Sequence, residues 1–326
     1  MFSLKPKPLG LRQIPLAGVD LEEHFLKAGA AESAALRESL AEVGLLAPPH
    51  LLSQRRGRWR VITGWKRLKA ALHLGWDEVP AVVLPPSTPD AHFLLLYLYD
   101  NAFTRPFTPR EQAALALRLL AHFDRDKVIK KFLPLLGQPG TPGHLEKLLA
   151  AARLEDPWQE LLAQGRVAIS AAARLAAWDP TDRLAAYPFF LHLPLSQSKQ
   201  EELLEDAEML ARRQGVAPAA ILLRWELQQL LVDQGRSPQE RAGAIRTLLK
   251  NWVSPRLMQT WKGFREQLAA LGLNHHPRLR LSPPPAFEGP DYHLEIKFQN
   301  PADLADTIKE LTRLLHTNGF AKLTAL

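Results

Sequence analysis

The stretch Pro85-Pro86-Ser87-Thr88-Pro89 separates two hydrophobic patterns that one fold class cannot hold together. Proline fixes φ, removes a backbone donor and pushes the residue before it out of the helical region, so this segment carries neither a helix nor an interior strand. Before it, apolar residues come in short runs bounded by Gly and Pro. After it, they recur at helical spacing for a long way. The expectation is an α+β chain, and 326 residues suggest two or three domains.

Residues 36–46 read as an amphipathic helix with Leu36, Leu40 and Val43 on one face and Gly44 as its stop. Pro48-Pro49 then forces extended chain. Residues 50–53 and 59–62 read as paired strands around a basic turn at 55–58. A helix over 68–74 and a strand over 79–84 complete a small α/β domain, 1–88. Helices are predicted over 90–100, 109–123, 127–136, 144–154, 157–164, 170–177, 199–214 and 218–234, so 89–234 is an all-α domain. The last domain, 235–326, has an α-β-β-α order: one or two helices over 238–271, strands at 278–281 and 293–298, and a helix over 303–315. Leu304, Ile308, Leu311 and Leu315 form a stripe on that last helix.

The chain has no cysteine, which excludes disulfides, iron–sulfur clusters, thiolate zinc sites and cysteine catalysis. No apolar run reaches the length of a membrane span, and no apolar h-region follows Lys5 and Lys7, so a cytoplasmic protein with no membrane partner is expected. The net charge is +7, and residues 235–281 hold 9 basic against 2 acidic side chains. Such clustering is the footprint of a polyanion partner or of a solvated basic face.

Two motifs carry chemistry. In Val61-Ile-Thr-Gly-Trp-Lys-Arg-Leu-Lys-Ala-Ala71 an apolar run meets a Gly corner, and two cations follow at a helix start. Orphan N–H groups beside Lys66 and Arg67 suit phosphate oxygens. In Tyr99-Asp-Asn-Ala-Phe-Thr-Arg105 a carboxylate, an amide and a guanidinium lie close together. Asp100 suits a magnesium ion or a water, Asn101 a base or sugar, and Arg105 a phosphate. Thr108-Pro-Arg-Glu111 reads as a capping box with Pro at N1.

The order of these features resembles the ParB family of chromosome and plasmid partition proteins, whose signatures are Gly-Glu-Arg-Arg and Glu-Asn-x-x-Arg. The resemblance is clear over about 12–123 and weaker over 124–180. It implies a ParB/sulfiredoxin-like N-terminal domain that binds CTP with Mg2+. It also implies a helix-turn-helix for double-stranded DNA, a dimerising C-terminal domain, a partition ATPase as partner and association with the nucleoid. Thr63, Gly64, Lys66, Arg67, Asn101 and Arg105 would contact the nucleotide, and Asp100 would stand on the metal side as the catalytic carboxylate. Trp65 stands where the family has Glu, Lys66 where it has Arg, and Arg105 lies one residue beyond the motif arginine. Asp20-Leu-Glu-Glu-His-Phe25 replaces the family's Asn-Pro-x-Gln-Pro-Arg element. These departures point to altered turnover.

Residues 128–154 have the outline of a degenerate helix-turn-helix, with Thr141, His144 and Lys147 as donors toward base edges. Arg246, Lys250, Arg256, Lys262 and Arg265 are candidates for sequence-independent DNA contact, interleaved with Trp252, Trp261 and Phe264. The expected function is a CTP-responsive DNA clamp. The alternatives are a ParB-fold nucleotide-dependent enzyme, either a small-molecule kinase or a nuclease, and a non-hydrolysing scaffold.

Overall fold

The computed structural model describes residues 10–24, 33–289, 291–317 and 319–320. Its contacts divide the chain into two units, Met1–Leu204 and Glu205–Leu326. The division does not fall at the Pro85–Pro89 linker. The first helix beyond the linker packs back onto the sheet and joins the sheet region to the helices that follow.

The first unit opens on five strands and two helices: β1 (Leu11–Pro15), β2 (Val19–His24), α1 (Ala34–Val43), β3 (His50–Ser53), β4 (Trp59–Thr63), α2 (Trp65–His73) and β5 (Glu78–Leu84). The sheet order is β1-β5-β3-β4-β2. It is mixed: β1–β5 and β3–β4 are antiparallel, β3–β5 and β2–β4 parallel. The edge strands β1 and β2 escaped the sequence reading. Leu11-Arg-Gln-Ile-Pro15 and Val19-Asp-Leu-Glu-Glu-His24 have weak strand patterns and owe their form to the neighbour they pair with. Asp20 to His24 therefore belong to β2, whereas Phe25 lies outside the described residues.

Pro80 is tolerated in an interior strand because β3 pairs with β5 only from Val82 onward, leaving β1 as the neighbour at that point. Ile14, Leu40, Leu51, Val61, Leu68 and Val79 fill the core between the sheet and the α1–α2 pair. The register sets His50, first residue of β3, opposite Thr63, last residue of β4.

Two helices extend the unit, α3 (Asp90–Ala102) and α4 (Pro109–Leu120). α3 lays Phe93, Leu94, Tyr97 and Leu98 inward and contacts β4. The segment after α4 runs through Arg125–Lys127, a π turn at Val128–Phe132 and Leu133–Leu135. The wide turn immediately precedes Pro134, which has no N–H to give the preceding turn. Helix Pro142–Ala151 packs against α4 and against Ile169–Ala176.

Helix Pro180–His192 was not foreseen, because Pro188 lies inside it. Packing overrides that local rule. Phe189 and Phe190 are buried, and Trp158 meets Tyr187 and Phe190 edge-on at 5.3 and 5.4 Å. The expected helix over 218–234 is two, Pro218–Leu222 and Trp225–Val232.

In the second unit Pro238–Val253 and Pro255–Ala270 meet at Ser254, with Pro255 opening the second helix. β6 (Leu279–Ser282) and β7 (His293–Ile296) form an antiparallel pair, and Pro301–Leu315 follows. Phe264, Leu268, Leu273, Leu279 and Leu281 form a buried cluster beside the strand pair. Among the described residues no helix is long and apolar enough to cross a membrane.

Candidate functional site

Gly64 turns the chain from β4 into α2 in the left-handed region, φ 84° and ψ 17°. A Cβ there would lie 2.7 Å from Pro49 Cβ, so both conformation and close approach require glycine. No side chain caps α2, so its first N–H groups point outward beside Lys66 and Arg67.

These residues open onto a cleft of about 350 Å³. Thr63, Gly64, Trp65, Lys66 and Arg67 line one side, and Asp100, Asn101 and Arg105 the other. The two motifs, over thirty residues apart in sequence, thus share one cavity. Arg67 Nη2 donates to Asp100 Oδ2 at 3.0 Å, and Arg67 also donates to the Ala47 carbonyl. Trp65 does not behave as a substitute for an acid. Its indole N–H donates to the Leu21 carbonyl of β2 at 2.7 Å, and Lys69 Nζ lies 4.5 Å from its ring centroid.

Arg105 is committed elsewhere. Nε donates to Asn101 Oδ1 at 3.2 Å, Nη1 to Glu111 Oε2 at 2.8 Å and to the Pro106 carbonyl at 3.1 Å. Nη2 donates to Glu111 Oε1 at 2.6 Å and to the Tyr97 hydroxyl at 3.3 Å. A guanidinium has five N–H donors, and five acceptors meet them. Asn101 Nδ2 donates to the Tyr97 carbonyl at 2.8 Å, so the amide braces the same cluster. Glu111 also closes the capping box read from the sequence. Burial pushes the Glu111 carboxyl up, but hydrogen bonds from Arg105, Tyr97 and Thr108 outweigh it and hold it below its usual range. Burial beside that carboxylate pushes the Tyr97 phenol far up. The cluster rigidifies the α3–α4 corner and leaves Lys66, the Arg67–Asp100 pair and the α2 N-terminus as the charged groups on the cleft wall.

The other candidates lie apart. Thr141 caps Pro142–Ala151, with its hydroxyl 2.8 Å from His144 Nδ1. His144 is half-buried and Lys147 exposed. Both line a second cleft with Gln112, Gln138, Ser170 and Gln197, and nothing in the sequence singled out the last two. In the second unit Arg256, Lys262 and Arg265 are exposed, and Arg246 is half-buried. Lys250 pairs with the buried Asp206 at 3.0 Å. Trp261 and Phe264 turn inward, meeting Phe287 at 5.0 and 5.6 Å, and Trp252 carries the Arg224 guanidinium at 4.9 Å. The basic stretch therefore presents cations but keeps its Trp261–Phe264 pair in the core.

Residues 26–102, from the far side of β2 through α3, match the family model of the ParB N-terminal domain. That sequence match, on a mixed sheet with a Gly corner feeding α2, defines the class: a ParB N-terminal domain followed by helices. The chain is 39% identical over 103 residues to a probable plasmid-partitioning protein ParB of Thermus thermophilus, a match covering 31% of this chain and 33% of that protein. The match therefore spans only a third of that relative's length. It is 28% identical over 215 residues to the chromosome-partitioning protein Spo0J of the same organism, covering 65% of this chain and 77% of that one. A crystal structure of C-terminally truncated ParB from Caulobacter crescentus, complexed to the centromeric parS site, is 18% identical. It covers 60% of this chain and 98% of that one, with a TM-score of 0.35. The chain is thus similar to ParB proteins, most clearly over residues 26–102.

Proposed function

We propose that the chain is a DNA-associated partition protein whose N-terminal cleft binds a nucleoside triphosphate, CTP by family resemblance. The observation that carries this reading is the convergence of Thr63, Gly64, Lys66 and Arg67 with Asp100 on one cavity at an uncapped helix start. Backbone N–H groups of α2 and the Lys66 ammonium would meet phosphate oxygens, and Arg67 would add a charged contact by exchanging its bond to Asp100 for one to phosphate.

A magnesium ion fits this donor set in one way only. Among the described residues Asp100 is the one carboxylate lining the cleft, and no group of three or more acidic or His side chains could hold a metal. Mg2+ commonly binds through one or two carboxylates together with substrate phosphates and water. Asp100 would hold it, and the ion would neutralise phosphate charge. With Arg105 locked on Glu111 and Trp65 tied to β2, the described lining offers no second carboxylate for turnover. Binding that gates DNA association, with little hydrolysis, is the reading these residues favour.

DNA would be met by Lys147 in the first unit and by Arg256, Lys262 and Arg265 in the second, all exposed. The helical pair around Thr141 would serve as the helix-turn-helix. A second copy would dock on Pro301–Leu315, whose stripe leaves Ile308 46% and Leu315 51% exposed.

Titration of the full chain with CTP, ATP and GTP, with and without Mg2+ and duplex DNA, tests the cleft. Saturable CTP binding that weakens at least about tenfold in Lys66→Ala and Arg67→Ala is expected, since charge-assisted contacts to phosphate are worth roughly 1.5–3 kcal/mol each. Absence of saturable binding for all three nucleotides overturns it.

A further inference from the structure

We propose that His50 is a positioning residue of the nucleotide cleft: the proton on its Nδ1 decides whether the Thr63 hydroxyl donates to His50 or to a phosphate oxygen. The proposal rests on the nucleotide reading of the cleft and adds to it a proton-linked donor that the phosphate motif does not contain.

Thr63 is only 2% exposed, yet it lines the cleft immediately before the Gly64 corner. The β3–β4 register sets His50 across from it, and Nδ1 lies 2.9 Å from Thr63 Oγ1. That separation suits a hydrogen bond in either direction. If Nδ1 is bare, it can only accept. Thr63 must then give it its one proton, and the hydroxyl turns lone pairs toward the cleft, where they repel a phosphate oxygen. If Nδ1 carries a proton, it donates to Thr63 Oγ1. The hydroxyl proton is then released to face the cleft as a donor. Imidazolium enforces the second arrangement and adds a positive charge near the anion.

The groups facing His50 are Asp100 and His92 from α3 and Arg67 from α2, besides Thr63 on β4. Burial, the largest influence, holds the imidazole below its ordinary value. Asp100 opposes this, and Arg67 and His92 reinforce it. Together these influences favour the neutral ring in the free protein. An anion in the cleft favours the protonated form, so binding takes up a proton and affinity rises as the pH falls.

The test is CTP·Mg2+ affinity of the full chain from pH 5.5 to 8.5, in wild type, Thr63→Val and His50→Asn. Asn places an amide where Nδ1 stands but does not titrate, and both variants share the nucleotide's own protonation, which cancels in a ratio. The expected result is a wild-type to His50→Asn affinity ratio that increases several-fold toward low pH, up to about tenfold for a one-unit shift in the His50 pKa on binding. Thr63→Val should bind more weakly than wild type at low pH, and its affinity ratio to His50→Asn should rise less toward low pH than the wild-type ratio does, because the imidazolium charge remains while the hydroxyl donor is gone. A ratio that stays constant, with CTP still bound, overturns the role of His50 and leaves the cleft reading standing. Absence of CTP binding by the wild type at every pH overturns both. Far-UV circular dichroism melts of each variant separate loss of the contact from loss of the fold.

Discussion

Arg105 grips Glu111 with two parallel hydrogen bonds, 2.8 and 2.6 Å, across the corner between α3 and α4. Glu111 is only 3% exposed, so its charge depends on that fork. The sequence offered Arg105 as a phosphate ligand and Glu111 as a cap. The folded chain uses them as one bracket.

Arg105→Ala removes the counter-charge of a buried carboxylate and should cost about 3 kcal/mol or more, seen as a lowered urea midpoint. Glu111→Gln separates charge from shape. The Glu111 carboxyl titrates below its unfolded value, so its contribution is complete above about pH 4.5 and is lost as the pH falls through the folded value. The wild type should lose stability below that pH more steeply than Glu111→Gln. Parallel acid profiles of the two proteins would contradict the bracket.

Gly64→Ala should destabilise the N-terminal sheet region by roughly 2 kcal/mol, because an L-residue at φ 84° is strained and its Cβ meets Pro49. Nucleotide binding should fall further than stability does, since the same corner aims the α2 N–H groups. Thermal melts and CTP titration of the variant check the two effects separately.

Lys250 and the exposed basic residues should part company. Lys250→Ala takes a charged partner from Asp206, 3% exposed, and is expected to cost on the order of 2–3 kcal/mol. Arg256→Ala, Lys262→Ala and Arg265→Ala should leave the melting temperature nearly unchanged. Each is expected to reduce the slope of log K against log salt for duplex DNA by about one. Fluorescence anisotropy at several salt concentrations reads that slope. An unchanged slope in the triple variant would remove this face from the DNA surface.

On the last helix Thr307 is buried while Ile308 and Leu315 are about half exposed. Ile308→Asp with Leu315→Asp should therefore spare the fold and convert a dimer to monomer in sedimentation equilibrium. A monomeric wild type at micromolar concentration would refute the docking face.

The sequence by itself determined the punctuation and the periodicity. Gly44, Gly64 and Gly75 take the positive φ their corners require, Thr108 to Glu111 cap α4, and the core strands β3, β4 and β5 lie close to where the apolar runs placed them. These outcomes are local, decided by φ preference, capping and side-chain period. Tertiary structure decided the rest, because partner choice is not local. It gave the edge strands β1 and β2 neighbours that their own residues do not announce. It kept Pro188 inside a helix because Phe189 and Phe190 are buried there. It tied Trp65 to Leu21, Lys250 to Asp206 and Arg105 to Glu111, and so sorted equivalent-looking polar residues into braces and ligand-facing groups. Above all, it set His50 opposite Thr63. A hydrogen bond between residues thirteen positions apart follows from strand register, and register exists only once the sheet has formed.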